Sequence, residues 1–450
     1  RPVYYTQRVL EAWAWHGDPA LWYRARTVLF AAALAAGALS LWLFCGPLLA
    51  IGGMALLLSG WYWRDVWAHL GPAEQYASVG TALVALGAAM VWRTKAVTGG
   101  LCLAALGTLV AAGCKENFAV LLVPLAFAAW HAHRSHLQAS LAAFIAACAG
   151  VGFIITAVAL GLRHATTDIY GTPLGPGARL WWVRGAPGAF VAVLWAVFLL
   201  AAFIATHRAR QSGGATQAGD HRERAAALRA LVRDAAIVLA VVTALVSSQA
   251  TYYAPAWPRF GARYDFPGRL TDVLLLVGAA AFSLRWLRLT GRVRPALLLE
   301  RAAPLLLVLL AARHGWLPVR ESAAANAANT WALRDILLEA RDSAVARPGA
   351  PVIIAFSGDA ELEPAGAVIT LLSELGAPGP YYLSPEPRPD GVTIRTADLD
   401  ARSGEGYDPA NRHMASTLQL ADALQLSSGR DVVLTVRGYL PPTLRCDVRP

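Results

Sequence analysis

From about position 27 to position 317 the chain alternates between apolar runs and polar connections. Ten runs can be drawn, over 27–45, 47–62, 77–92, 99–113, 117–131, 138–161, 187–206, 235–250, 270–287 and 302–317. Several are shorter than the roughly 20 residues that a perpendicular membrane span needs. Flanking Trp and Arg, or local thinning of the bilayer, would complete them. The run at 302–317 is the weakest, because Glu300, Arg301 and Pro304 crowd its start. Before the first run, RPVYYTQRVLEAWAWHGDPALWYRAR reads as an amphipathic interfacial helix, a turn at HGDP and the start of a span.

Past position 318 the pattern changes. Residues 321–346 suit a helix, PVIIAF (351–356) a strand, and EPAGAVITLLSEL (363–375) a helix. YYLS (381–384) and VTIRT (392–396) suit strands, HMASTLQLADALQL (413–426) a helix and DVVLTVR (431–437) a strand. The expected fold is therefore mainly α: a polytopic transmembrane bundle over 1–317, followed by a small soluble α/β module over 318–450.

Composition agrees with lipid. The chain has 450 residues, 56% of them hydrophobic and 15% charged, and a mean hydropathy of +0.45, too apolar for a soluble globule of this length. Sixteen tryptophans suit a protein rich in membrane interface. The net charge of +10 raises the question of nucleic acid, but no basic patch with interleaved aromatics sits on a soluble module. Membrane lipids or a phosphate-bearing substrate are the expected partners. The five cysteines show no disulfide framework or metal spacing.

Connections give orientation. The stretch 207–234 holds six arginines and 285–294 adds four, which marks that side as cytoplasmic. Alternation then places 1–26, 63–76, 114–116, 162–186, 251–269 and everything after 318 outside. The exoplasmic connections carry the residue types that do chemistry.

Lys115 and Glu116 stand between two apolar runs, in GCKENFAVLLVPL, where charge is costly. Neighbours in sequence point about 100° apart on a helix, so each needs its own partner. Lys115 is one of two lysines against 37 arginines, and a compact ammonium suits a phosphate oxygen as a point charge. The bland alternative has Lys115 snorkelling to headgroups and Glu116 capping the next helix. The stretch TYYAPAWPRFGARYDFPGR (251–269) sets Arg259, Arg263, Arg269 and Asp265 among tyrosines and a tryptophan. Arginines there can grip a phosphate, or simply lie solvated in an aromatic belt. At the start, Arg1, Tyr4, Tyr5, His16 and Asp18 could face a headgroup. In WYWRDVWAHLGPAEQY, Asp65, His69 and Glu74 are candidate ligands with no recognised metal spacing, so no metal site is assigned. The loop 162–186 offers His164, Asp168, Arg179 and Arg184. FSGDAELEP in the C-terminal part lacks the glycine run and lysine of a phosphate loop.

Three pieces together resemble the polytopic glycosyltransferases of the C superfold, the class of protein mannosyltransferases and lipid A aminoarabinose transferases. RPVYYTQRVLEAWAWHGDPALWYRAR resembles the family's Arg-Pro segment leading into a span, CKENFAVLLVP its Lys-Glu motif, and ARYDFPGRL its Arg-Tyr-x-x-Pro motif. The likeness covers about 1–317. It implies an enzyme of the bacterial cytoplasmic membrane that takes sugar from a polyprenyl-phosphate donor outside the cell membrane. Lys115, Arg263, Tyr264 and Arg1 would bind the donor phosphate, and Glu116 would position it. Tyr4, Tyr5, His16, Asp18, Asp65 and Asp265 are candidates for acceptor or sugar contacts. The acceptor is a protein, a lipid or a glycan. The family's catalytic Asp lies in a first exoplasmic loop that no residue here matches, so the general base is expected upstream of Arg1. Some relatives use a divalent metal, and nothing in these residues compels one.

As the bond to phosphate breaks, negative charge grows on the leaving group, so fixed cations matter most then. Inversion follows if a carboxylate deprotonates the acceptor hydroxyl. On this reading Lys115→Ala cuts turnover far more than stability. Two other classes compete: a transporter or flippase of an anionic lipid-linked substrate, which would need polar or broken helices at mid-membrane, and a non-catalytic membrane scaffold.

Overall fold

The computed structural model describes residues 2–16, 18–60, 62–67, 72–161, 186–211, 218–252, 266, 270–316, 320, 334–335, 337–348, 352–356, 368, 371–378, 381–385, 415–417, 432–437 and 445–449. The chain divides into two compact units, one of Arg1–Thr166 with Pro173–Val319, the other of Thr167–Thr172 with Arg320–Pro450. The described residues are mostly helical.

The first unit begins with α1 (Pro2–Trp15), α2 (Pro19–Cys45), α3 (Pro47–Leu58) and α4 (Tyr62–Trp67). The helices α5 (Glu74–Arg93) and α6 (Val97–Cys114) follow, then a 3-10 helix over Glu116–Leu121 that runs into α7 (Leu122–Ala132). The remainder is α8 (Leu137–Gly161), α9 (Ala186–Gln211), α10 (Ala218–Tyr252), α11 (Leu270–Leu289) and α12 (Val293–Ala311), closed by a π turn over Ala312–Trp316. Among the described residues seven segments are long and apolar enough to cross a membrane: Ala20–Cys45, Glu74–Arg93, Val97–Cys114, Leu137–Ala157, Pro187–Ile204, Glu223–Ala250 and Leu270–Leu289. The chain is read here as a multi-pass membrane protein.

Three of the ten expected runs are not among these spans, two for their length and one for its charge. The run at 47–62 yields the 12-residue α3, about 18 Å long at 1.5 Å per residue against roughly 30 Å of hydrocarbon. The run at 117–131 is split between the 3-10 helix and the 11-residue α7. The run at 302–317 belongs to the 19-residue α12, which starts earlier, at Val293, and carries Arg294, Glu300 and Arg301. Conversely, the first span starts earlier than the run at 27 suggested. Asp18 caps α2, its Oδ1 accepting from the N–H of Ala20 at 2.8 Å, and Pro19 fills the first helical position.

At the centre of the unit stand α5 and α6. More than half of each, 56%, is buried inside the protein, against 6% of the α9 span. Glycine makes the close approach. A Cβ on Gly80 would lie 2.6 Å from the carbonyl oxygen of Gly107, and one on Gly87 2.5 Å from that of Gly100. With Ala104 and Ala111 filling the next contacts, the helices meet backbone to backbone. By contrast, Val193, Val197, Leu199, Leu200 and Phe203 of α9 are exposed, as lipid-facing residues should be.

In α1 the amphipathic pattern is turned outward. Tyr5, Val9 and Trp13, spaced by four, are exposed together with Leu10, while Glu11 is buried. A soluble helix would bury that stripe; an interfacial one lays it in lipid.

In the second unit the described strands are β1 (Val352–Phe356), β2 (Tyr381–Pro385), β3 (Ala415–Thr417), β4 (Val432–Arg437) and β5 (Arg445–Arg449). They form one sheet in the order β3-β2-β1-β4-β5, parallel except for β5. Ala415–Thr417 is strand, not the expected helix, and β5 was not anticipated; Ala-Ser-Thr fits the pleat as readily as a helical turn. Residues 392–396 lie outside the described residues.

Candidate functional site

The α5–α6 hairpin builds the site. Gly80 meets Gly107 and Gly87 meets Gly100, so the helices run antiparallel, joined by Thr94, Lys95 and Ala96. In this register residue 74 falls opposite residue 113. Glu74 opens α5, where the helix dipole favours a carboxylate. Lys115 ends α6: its N–H donates to Ala111 (2.9 Å), and its backbone is extended at φ −152° and ψ 120°. Its carbonyl then accepts from the N–H of Phe118 (3.0 Å), which starts the 3-10 helix.

Lys115 thus has the partner that its burial demands: Nζ donates to Glu74 Oε1 in an ion pair. Lys115 is 4% exposed and Glu74 3%. Lys115 and Glu116 occupy different environments, Glu116 being half-buried in the first turn of the 3-10 helix. The helix break supplies the ammonium; the helix start supplies its counter-ion.

Two residues along α5, Tyr76 belongs to a second buried cluster. Arg26 of α2 grips Glu11 of α1 with a two-pronged fork, Nη1 to Oε1 at 2.8 Å and Nη2 to Oε2 at 2.7 Å. The Tyr76 hydroxyl also donates to Glu11 Oε1, and the Arg26 guanidinium lies 4.6 Å from the Tyr76 ring centroid. Arg8 approaches Glu11 at 3.7 Å and covers Trp22 at 4.8 Å. This clasp ties α1 to α2 and α5 and explains the inward carboxylate of α1. The consecutive residues Glu74, Gln75 and Tyr76, all buried, link the two clusters.

A hydrophobic cluster lies against the ion pair. Val66, Tyr76, Ala77, Ala111, Cys114, Phe118 and Phe266 are buried there, with Val3, Tyr4, Trp63 and Trp67 packed on them. Phe266 is the described residue of the ARYDFPGR segment; its ring centroid is 5.6 Å from Phe118 and 5.5 Å from Trp63. Behind the break, Ser248 of α10 donates from Oγ to the Asn117 carbonyl at 2.6 Å. The Asn117 side chain is buried, and neither its Nδ2 nor its Oδ1 has a hydrogen-bond partner among the described residues.

The expected site residues are only partly gathered. Lys115 and Glu116 are at this end, and half-buried Tyr4 packs on the cluster beside them. Tyr5 stacks edge-on with Tyr4 at 5.3 Å but is 62% exposed. Asp18 is exposed, and its carboxylate caps α2. His16 is exposed at the end of α1 with φ 47°, its carbonyl accepting from Trp22 Nε1 at 2.9 Å. Asp65 lies in α4, its side chain outside the description. Arg1, Arg263, Tyr264, Asp265 and the whole loop 162–185 lie outside the described residues. Sequence reasoning noted Glu74 without pairing it to Lys115, and passed over Glu11, Arg26, Tyr76 and Asn117. The first pair was findable: the start of one span and the end of the next must share a membrane face.

Among the described residues no group of three or more His, Cys, Asp or Glu could hold a metal ion. No protein-family model matches the chain, and no curated protein or solved structure matches it either.

Proposed function

We propose that this protein is a membrane glycosyltransferase that moves a sugar, with inversion, from a polyprenyl-phosphate donor to an acceptor at the exoplasmic face of a bacterial cytoplasmic membrane. The observation that carries the reading is the buried Lys115–Glu74 pair at a helix break. Desolvating two charges costs several kcal/mol per ion. The rest of the α5–α6 contact needs no charge, being built of glycine and alanine. An ionisable pair kept at such a boundary marks a candidate functional site.

In this scheme Glu74 neutralises Lys115 until the donor phosphate takes its place. The acceptor oxygen then bonds to the anomeric carbon as that carbon's bond to the phosphate oxygen breaks. The acceptor proton goes to a carboxylate acting as general base, and polyprenyl phosphate departs with the bonding electrons. Lys115 stabilises the charge that gathers on it. Arg263, Tyr264 and Arg1 share the phosphate, and Glu116 positions it. Phe266, three residues after Arg263 in the chain, packs in the cluster beside the ion pair, which supports assigning that segment to the same site. Asp18 serves this scheme less well, since its carboxylate is engaged in capping. The C-terminal unit is assigned as an exoplasmic α/β module that admits the acceptor.

The buried pair changes the test. Lys115→Ala would strand the Glu74 carboxylate in the interior, so loss of activity would be mixed with loss of fold. Lys115→Met combined with Glu74→Gln removes both charges. Reconstituted full-length protein should transfer sugar from at least one member of a panel of polyprenyl-phosphate sugars. The folded double variant should be slower by about 100-fold or more, the scale of losing one oxyanion donor. A wild-type rate per folded molecule in that variant would defeat the proposal.

One observation favours a second reading. A carrier of anionic lipid needs a broken helix, and the 3-10 segment at Glu116–Leu121 is one. It differs from a carrier's in following the end of α6. Movement of fluorescent polyprenyl phosphate across liposomes, without any sugar transfer, would favour this reading.

A further inference from the structure

Asn117 stands out among the buried polar residues. It is 2% exposed, and neither its Nδ2 nor its Oδ1 has a hydrogen-bond partner among the described residues. Each unsatisfied buried polar group costs about 1–3 kcal/mol. Its backbone is fixed, with the carbonyl accepting from Ser248 Oγ. Leucine has the same branched four-atom side-chain skeleton, with bulkier ends, and leaves no polar atom unsatisfied, so hydrogen bonding within the protein gives no reason for an amide here. The amide lies two residues from Lys115, at most about 7 Å of chain.

We infer that the Asn117 carboxamide is a subsite for the sugar of the lipid-linked donor, reading a hydroxyl on the ring whose phosphate Lys115 holds. The inference rests on the transferase reading. A carboxamide offers two donors and one acceptor and is neutral. It therefore matches a hydroxyl, which both gives and accepts a hydrogen bond, better than it matches another phosphate. A site built to hydrogen-bond a hydroxyl rejects ligands that lack it, because the buried amide is then left unpaired. Asn117 thus sets which sugar is bound, and Lys115 sets that a lipid phosphate is bound at all.

The test compares two lipids, polyprenyl phosphate without sugar and a polyprenyl-phosphate sugar, bound to full-length protein in lipid nanodiscs. Asn117→Leu should bind the bare lipid as wild type does and the sugar-bearing lipid about tenfold more weakly, the equivalent of one hydrogen bond. Its unfolding temperature serves to show that the variant is folded, since the bulkier leucine sets overpacking against the relief of the unsatisfied amide. Asn117→Ser, which keeps a donor and an acceptor, should retain part of the preference for the sugar-bearing lipid. Equal weakening on both lipids, or no weakening on the sugar-bearing one, would each overturn the inference. If wild type binds both lipids and the Lys115→Met, Glu74→Gln variant binds neither, failure at Asn117 sinks this inference alone. If wild type binds neither lipid, the transferase reading falls with it.

Discussion

Lys115 and Glu74 are 41 positions apart in the chain and form a buried ion pair at one end of two helices. Such a pair is weak evidence for stability, because the cost of desolvation offsets most of the attraction. Breaking it from one side is another matter. Glu74→Gln leaves a buried ammonium, and Lys115→Met leaves a buried carboxylate; each should cost about 3–5 kcal/mol. Removing both leaves no stranded charge, so the double variant should be far more stable than the sum of the single losses predicts. A double-mutant cycle in reversible unfolding measures the coupling. Additive losses would show that the two side chains do not share one site. The same logic applies to Glu11 and Arg26, whose two-pronged contact is also buried but serves to hold α1 in place.

At the scale of elements, the glycines of α5 and α6 decide whether Glu74 and Lys115 meet. A side chain at Gly107 would strike the Gly80 carbonyl 2.5 Å from its Cβ, and no rotamer change relieves a clash with backbone. Gly107→Val should lower stability by about 1–3 kcal/mol or more, the range for overpacking, and should part the helix ends that carry Glu74 and Lys115. Gly152→Val on α8 is the control, because nothing lies within 4 Å of a Cβ there. Thermal unfolding of both variants checks this, and equal losses would remove the special role of the hairpin. These glycines also mark what was legible in the sequence. Apolar run length located the seven long spans, because hydropathy over some twenty residues is a sum that tolerates local error. It failed at 47–62 and 117–131, where composition is apolar but the turn at Ser59–Gly60 ends one helix and the 3-10 segment at Glu116–Leu121 shortens the other. The helix partners were not legible from hydropathy. They depend on which faces carry Gly80, Gly87, Gly100 and Gly107, a spacing of seven within each helix. Lys115 was singled out by charge in an apolar setting, whereas Asn117 was missed because a neutral amide raises no such flag.

The membrane unit has two chemically different ends. At one end lie Glu11, Arg26, Glu74 and Lys115, buried in ion pairs. At the other, Arg93 and Arg285 both donate to the Phe44 carbonyl, at 3.2 and 3.0 Å, where α2 runs out of intrahelical partners. Trp92 stacks on His131 nearby, and Arg288 pairs with Glu300 between α11 and α12. Exposed arginine at helix C-termini is favoured by the dipole and by anionic lipid, and short basic connections stay cytoplasmic during insertion. The Phe44 end should therefore face the cytoplasm and the Lys115 end the outside. Single cysteines placed in a cysteine-free background report this directly: Lys95→Cys between α5 and α6, and Thr6→Cys on α1, both at exposed positions. A membrane-impermeant maleimide should label Thr6→Cys in intact cells or right-side-out vesicles, and Lys95→Cys only in everted ones. If both label from one face, the two ends do not lie across a bilayer. If the pattern is reversed, Lys115 faces the cytoplasm and the donor lipid would have to be met there.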